Sequence, residues 1–202
     1  MAITYPLSIP TTGIRSISIR ARNVVGASVS PFTGQQQLVR HQGAWWEADV
    51  TLPPMKRADA EEWIGFLVSM KGRFGTFLLG DPAATSPRGS WAGTPLVNGA
   101  GQTGEALTID GFSAGATAKR GDYFQIGTGG GARLYKVLAD ATAAGGAMTL
   151  DIWPRLREGP ADNAVVVTSN TVGLFRLASN DSEWNVNEAT VYGITFGAVE
   201  AI

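Results

Sequence analysis

The residues able to do chemistry are few. His41 is the single histidine, which excludes a multi-histidine metal site and leaves at most one Ser-His-Asp arrangement. No GxSxG elbow accompanies it, and a lone histidine at the end of a strand is read as a surface or hydrogen-bonded structural residue. There are no cysteines, so thiolate metal sites, a cysteine nucleophile and a disulfide framework fall together. GTGGG at 127–131 has the glycines of a phosphate cradle. Such loops open a helix, however, and the ARLYKVLAD that follows alternates like a strand, so a hairpin turn is expected. Asp110, Asp122, Asp140 and Asp151 could serve as paired glycosidase acids only if two of them met. Nothing in their spacing brings two together, and solvated strand ends and turns account for them. SNDSEWNVNE (179–188) lacks the ordered glycine and terminal glutamate of a calcium loop and reads as a polar loop. The expectation is a protein that is not an enzyme, with no catalytic, cofactor-binding or metal-binding residue, and with binding residues that the sequence does not single out.

The tryptophans carry more information. Trp63 and one of the adjacent pair Trp45 and Trp46 are expected in a core, because neighbours in a strand point to opposite faces. The other ring of the pair must meet a helix, a loop or another subunit. Trp91 and Trp184 lie in segments too polar to form a core themselves and are read as contacts between domains or subunits. Sugar stacking by Trp91 and Trp153 is the lesser alternative.

Elements must position these rings. IRSISIRA (14–21) and WWEADVTL (45–52) alternate as half-buried strands, with Trp46, Ala48, Val50 and Leu52 on one face. Between them, SPFTGQQQLVRH (30–41) fits a hairpin or longer connection before a short strand that ends at His41. Helical periodicity is clear once, over about 56–70, where Trp63, Phe66, Leu67 and Met70 fall at i, i+3, i+4 and i+7. Asp59, Glu61 and Glu62 suit the positive end of that helix, and Lys71 with Gly72 closes it. RFGTFLLGD (73–81) is the next strand. DPAATSPRGSWAGTP (81–95) then has the composition of an exit from one domain to another. Short strands follow at 105–112, 121–127, 132–140 and 148–154, with glycine-bearing turns, a spacing that suits a small antiparallel barrel able to close its own edges. After PRLREGPADNA (154–164), strand composition returns through VGLFRLASN to NEATVYGITFGAVEAI. The first part has too few strands to close a sheet around its helix, so the C-terminal segment is expected to return to it. The domains expected are 1–86 with 169–202, and an inserted 87–168.

Composition limits the partners. The 202 residues carry 16 Lys and Arg against 17 Asp and Glu, a net charge of −1, which argues against a general electrostatic grip on nucleic acid or anionic lipid. Charged residues are only 16% of the chain, and uncharged polar surface is cheap to desolvate where subunits meet repeatedly. MAITYPLSIP has no basic leader, and WIGFLVSM (63–70) is too short for a membrane span, so a soluble protein made in a cytoplasm is expected.

The order of parts, a strand-rich start, LPPMKRADAEEWIGFLVSMKGRFGTFLLGDP (52–82), an inserted small barrel, then VGLFRLASN and a closing strand, resembles the distal tail proteins, often called Dit, of long-tailed siphophages, and similar minor tail proteins of prophages. The helix followed by GRFGTFLLGDP is its most specific part. The resemblance implies a mainly β fold with one helix, a tail-tube-like β-sandwich or split barrel carrying an inserted small antiparallel β-barrel, OB-like in some members. It implies a virion protein of the phage tail, assembled in the bacterial host cytoplasm. Such a protein forms a homohexameric ring between the tail tube protein and the tail-tip or baseplate hub protein, passes DNA through its lumen without specific binding, and needs no cofactor and no membrane. Arg15, Arg20 and Arg22 would then face subunit contacts or solvent, since a basic lumen would hold passing DNA. The alternative is a carbohydrate-binding β module, with a glycosidase third.

Overall fold

A computed structural model describes residues 3–202. In chain order the elements are β1 (Leu7–Ser8), β2 (Ser16–Val29), β3 (Gln36–Thr51), α1 (Arg57–Ser69), β4 (Phe77–Leu79), β5 (Gly93–Val97), β6 (Ala106–Phe112), β7 (Thr117–Ala118) and β8 (Tyr123–Ile126). After a single 3-10 turn at Gly129–Gly131 come β9 (Arg133–Val137), β10 (Ala141–Thr142), β11 (Met148–Trp153), β12 (Val166–Val167), β13 (Gly173–Leu177), β14 (Trp184–Val186) and β15 (Tyr192–Glu200). The molecule is mainly β with one α-helix among the described residues, the class expected from the sequence.

Two large sheets divide the strands. One runs β1-β4-β13-β15-β3-β2, with β14 added on β15, and so takes strands from both ends of the chain. The alternation of β3 turns Trp46, Ala48 and Val50 into one core, to which α1 adds Trp63, Phe66, Leu67 and Met70. Phe77 and Phe196 complete that core, with ring contacts linking Trp63, Phe66, Phe77 and Phe196. The helix ends as its composition requires: Lys71 and Gly72 both adopt positive φ, 52° and 66°, which turns the chain out of the helix.

The second sheet runs β12-β8-β9-β11-β6-β5. Its two end strands meet through a bridge between Leu96 and Val165 and through the amide of Val97, which donates to the carbonyl of Ala164 at 2.9 Å, so the six strands form a nearly closed barrel. Closure leaves few unpaired edges on these short strands. Leu107, Ile109, Phe124, Leu150 and Ile152 fill it. At the kink between β5 and β6, Gly111 has φ 77° and a Cβ there would stand 2.2 Å from the Thr94 carbonyl oxygen, so no other residue fits. The expected turn at GTGGG is the β8–β9 hairpin connection.

Three local expectations change. The strand expected to end at His41 runs unbroken from Gln36 to Thr51, and the strand expected at 14–21 continues to Val29. The extension forms a ribbon exposed on both faces, where no burial pattern marks the strand. The strand expected over 73–81 is confined to Phe77–Leu79, because the chain first folds back on the helix end, the Gly75 amide donating to the Met70 carbonyl at 2.8 Å. The polar stretch 179–188 contains β14, whose pairing with β15 supplies an order its polar side chains do not advertise.

Candidate functional site

His41 lies in the exposed ribbon, and the described residues include no group of three or more His, Asp or Glu placed to hold a metal ion. Asp122 is the exception to the expectation of solvated aspartates, since it is 2% exposed. Its carboxylate accepts from the Trp91 indole at 2.8 Å and from the amides of Arg88, Gly89 and Lys119 at 2.7, 3.0 and 2.8 Å. Burial alone would push this acid up, but the indole and the three amides together hold it below the ordinary aspartate range. With three donors on Oδ2 and one on Oδ1, the carboxylate locks the loop 88–91 to the turn at Lys119. Trp91 is therefore a core residue of the barrel, packed on Phe112 and Phe124, and not a contact between domains or subunits. Its own segment is polar, but the ring reaches into the barrel and Asp122 satisfies its N–H.

The other tryptophans divide as β alternation dictates. Trp46 and Trp63 are buried, while Trp45 lies half-buried on the opposite face, donating to Glu47 at 3.1 Å. Trp153 stands edge-on to Trp46 at 4.4 Å between ring centres, where the barrel meets the large sheet. Trp184 is exposed on β14.

Two groups were not singled out by sequence reasoning. Glu200 is 6% exposed and accepts from the Trp46 amide at 3.0 Å and from Arg157 at 2.7 Å. A signal existed: Glu200 follows Ile194, Phe196 and Ala198 on the inward phase of β15. The Trp46 indole adds a bond to the Leu134 carbonyl at 3.0 Å, and the Leu174 amide one to Ala132 at 3.1 Å. The barrel and the large sheet are thus joined by a buried polar and aromatic seam.

Two surfaces remain open. One is the face of the large sheet turned away from α1. Arg20 pairs with Asp49, and Arg22 with Glu47 at 2.8 Å, across adjacent strands. The Arg22 bond holds Glu47 below the ordinary glutamate range, against the effect of its partial burial, with the Trp45 indole assisting. Arg20 and Arg22 are exposed, and their charges are matched in place. Beside them a cleft of about 500 Å³ is lined by Asp49, Asp181 and Glu183 with Ser179 and Ser182, and no histidine or lysine lines it. Asp49 is already paired with Arg20, and Asp181 and Glu183 add a negative potential to the cleft.

The other open surface is the β2–β3 ribbon. Pairing of β3 with β15 stops at Glu47, so beyond that point β2 and β3 have only each other. About six residues on each strand project past the body, some 20 Å at the rise of a strand. Asn23 to Val39 contains no charged side chain. Val24, Val25, Val29, Leu38 and Val39 are exposed, and Phe32 at the tip is 95% exposed. An isolated two-stranded ribbon is marginal in water, and its free edges and apolar side chains are those of a surface that is covered in use.

Residues 83–171 match the family model described as "Distal tail protein pb9, B domain". The matched segment holds every strand of the barrel, β5 to β12. No curated protein matches the chain. Over that segment the chain resembles the phage distal tail proteins, and the match supports a structural role in a phage tail. Among the described residues no helix is long and apolar enough to cross a membrane.

Proposed function

We propose that this chain is a building block of a closed ring, a homohexamer in the reading its resemblance favours, which joins the phage tail tube to the tail-tip hub and lets DNA pass along its axis. The observation that carries the reading is the β2–β3 ribbon, without a charged side chain from Asn23 to Val39 and exposed on both faces, on a chain whose residues 83–171 match the distal tail protein family model. Each apolar side chain of the ribbon that a neighbour covers contributes about 1.5–3 kcal/mol, so a ribbon laid on the body of the next copy stabilises a head-to-tail contact. Repeated around an axis, such a heterologous contact closes by rotation.

Two core clusters support a division of labour, although Tyr123 and Leu134 of the barrel also pack into the core of the large sheet. Residues 1–86 with 169–202 form the ring-building unit, and 87–168 a peripheral inserted barrel that braces neighbouring tail proteins. Contrary to the expectation that Arg20 and Arg22 face subunit contacts or solvent, the sheet face bearing the Arg20–Asp49 and Arg22–Glu47 pairs and the acidic cleft is turned toward the lumen in this proposal, because the pairing removes the objection to a basic wall. Its cations are already matched, so it releases few counterions on meeting DNA and does not retain it. A carbohydrate-binding module is the weaker reading, since Trp91 is buried and Trp153 is packed against Trp46 at the seam between barrel and sheet. Native mass spectrometry of the full chain, alone and with the tube protein, tests the proposal: one closed stoichiometry supports it, whereas a monomer under both conditions that binds glycans supports the module.

A further inference from the structure

The ribbon leaves the body through a fault in its own pairing. Asn23 stands opposite Ala44 and the next pair is Val25 with Arg40, so β3 carries two more residues than β2 across this step. Gly43 lies in the fault, where a Cβ would come within 2.9 Å of the Val24 side chain. Such bulges break the ladder and bend the strand that bears them. No third strand lies alongside to fix the bend, because β15 pairs with β3 only as far as Glu47.

The barrel grips both sides of this fault. On the body side, the Trp153 indole N–H donates to Asn23 Oδ1 at 2.8 Å. On the ribbon side, the Arg40 guanidinium engages both carboxylate oxygens of Glu105, Nη1 to Oε2 at 3.0 Å. The two gripping residues are themselves joined, since the amide of Ile152, next to Trp153, donates to the Glu105 carbonyl at 2.8 Å. One stiff patch of barrel wall therefore holds one residue before the bulge and one after it.

We propose that the barrel acts as a bracket that sets the angle at which the β2–β3 ribbon leaves the sheet, through Trp153–Asn23 and Glu105–Arg40. This gives the inserted unit a task inside its own chain. The inference rests on the geometry of one chain, so its failure leaves the ring proposal standing, and failure of the ring leaves the bracket standing.

The chain lacks cysteine, so Thr33→Cys at the ribbon tip and Val68→Cys on the exposed side of α1 can carry paired spin labels in the full-length protein. Pulsed electron paramagnetic resonance then reads the distance between ribbon tip and body. A single narrow distribution is expected in the otherwise unchanged chain. N23A with R40A should broaden it about twofold or shift its centre, with little change in melting temperature because both contacts are exposed. The exchanged pair R40E with E105R, with Asn23 retained, should restore the narrow distribution. If N23A with R40A failed to fold, raising salt to about 1 M, where screening acts within ~3 Å, should broaden the distribution of the otherwise unchanged chain by weakening the exposed ion pair. A distribution that is broad from the outset, or one that neither the paired substitutions nor salt alters, overturns the proposal.

Discussion

Arg157 donates to Glu200 at 2.7 Å, and the two side chains are only 11% and 3% exposed. The contact ties the chain leaving the barrel to the last strand of the large sheet, and Glu200 also accepts the Trp46 amide. Removing one partner of a buried pair strands the other charge, a loss of roughly 3–5 kcal/mol, whereas replacing both by apolar groups of similar size is near neutral. Glu200→Gln should therefore lower the urea midpoint strongly, and Arg157→Met with Glu200→Leu should recover much of that loss. Urea unfolding curves of the three proteins check it, and equal loss in both variants would contradict the assignment.

Asp122 sets an acid limb of stability. Its folded value lies below that of the unfolded chain, so its contribution is complete above the unfolded value of about 3.9 and is lost as pH falls through the depressed folded value. Asp122→Asn presents an amide to donors that need an acceptor and should cost about 1–3 kcal/mol at neutral pH. The variant should also lose less of its remaining stability than the wild type as pH is lowered from neutrality into the acid range. Thermal melts across that range measure both effects.

The ribbon is expected to matter for association and little for folding. Val25→Lys with Leu38→Lys places charge on an exposed ribbon, where substitutions change stability by no more than about 0.5 kcal/mol. Melting temperature should stay, and self-association or binding to the tube protein should fall at least tenfold. Light scattering with a melting curve separates the two.

Matched charges on the open sheet face make a prediction about DNA. Glu47→Gln with Asp49→Asn leaves Arg20 and Arg22 unopposed, and the assembled variant should bind duplex DNA with a steep salt dependence that the wild type lacks. Anisotropy titrations at several salt concentrations check it. A wild type that binds as tightly as the variant would remove the face from the lumen.

Where burial is one-sided, the alternation of β3 and the spacing of Trp63, Phe66, Leu67 and Met70 declare strand, helix and core together. Whereas β5 begins in the polar stretch that reads as an exit from one domain to another, the barrel strands β6, β8, β9 and β11 are legible as short runs of strand composition between glycine-bearing turns. The projecting ribbon is not, since residues 20–43 are exposed whichever way they point, and periodicity reports burial rather than hydrogen bonding. Asp122 looks like any turn aspartate because three of its four donors come from the distant loop 88–91 and only one, Lys119, from its own turn. Glu200 was legible in principle, as a carboxylate on an inward phase, but its partner Arg157 lies 43 residues away in a polar connection that shows no pattern.

The most direct test of the ring is imaging tail particles that contain this chain. Copies should encircle an open axial passage at the end of the tube, each ribbon lying on the next copy. Finding the chain only off the axis, or in particles whose passage it never surrounds, would contradict it.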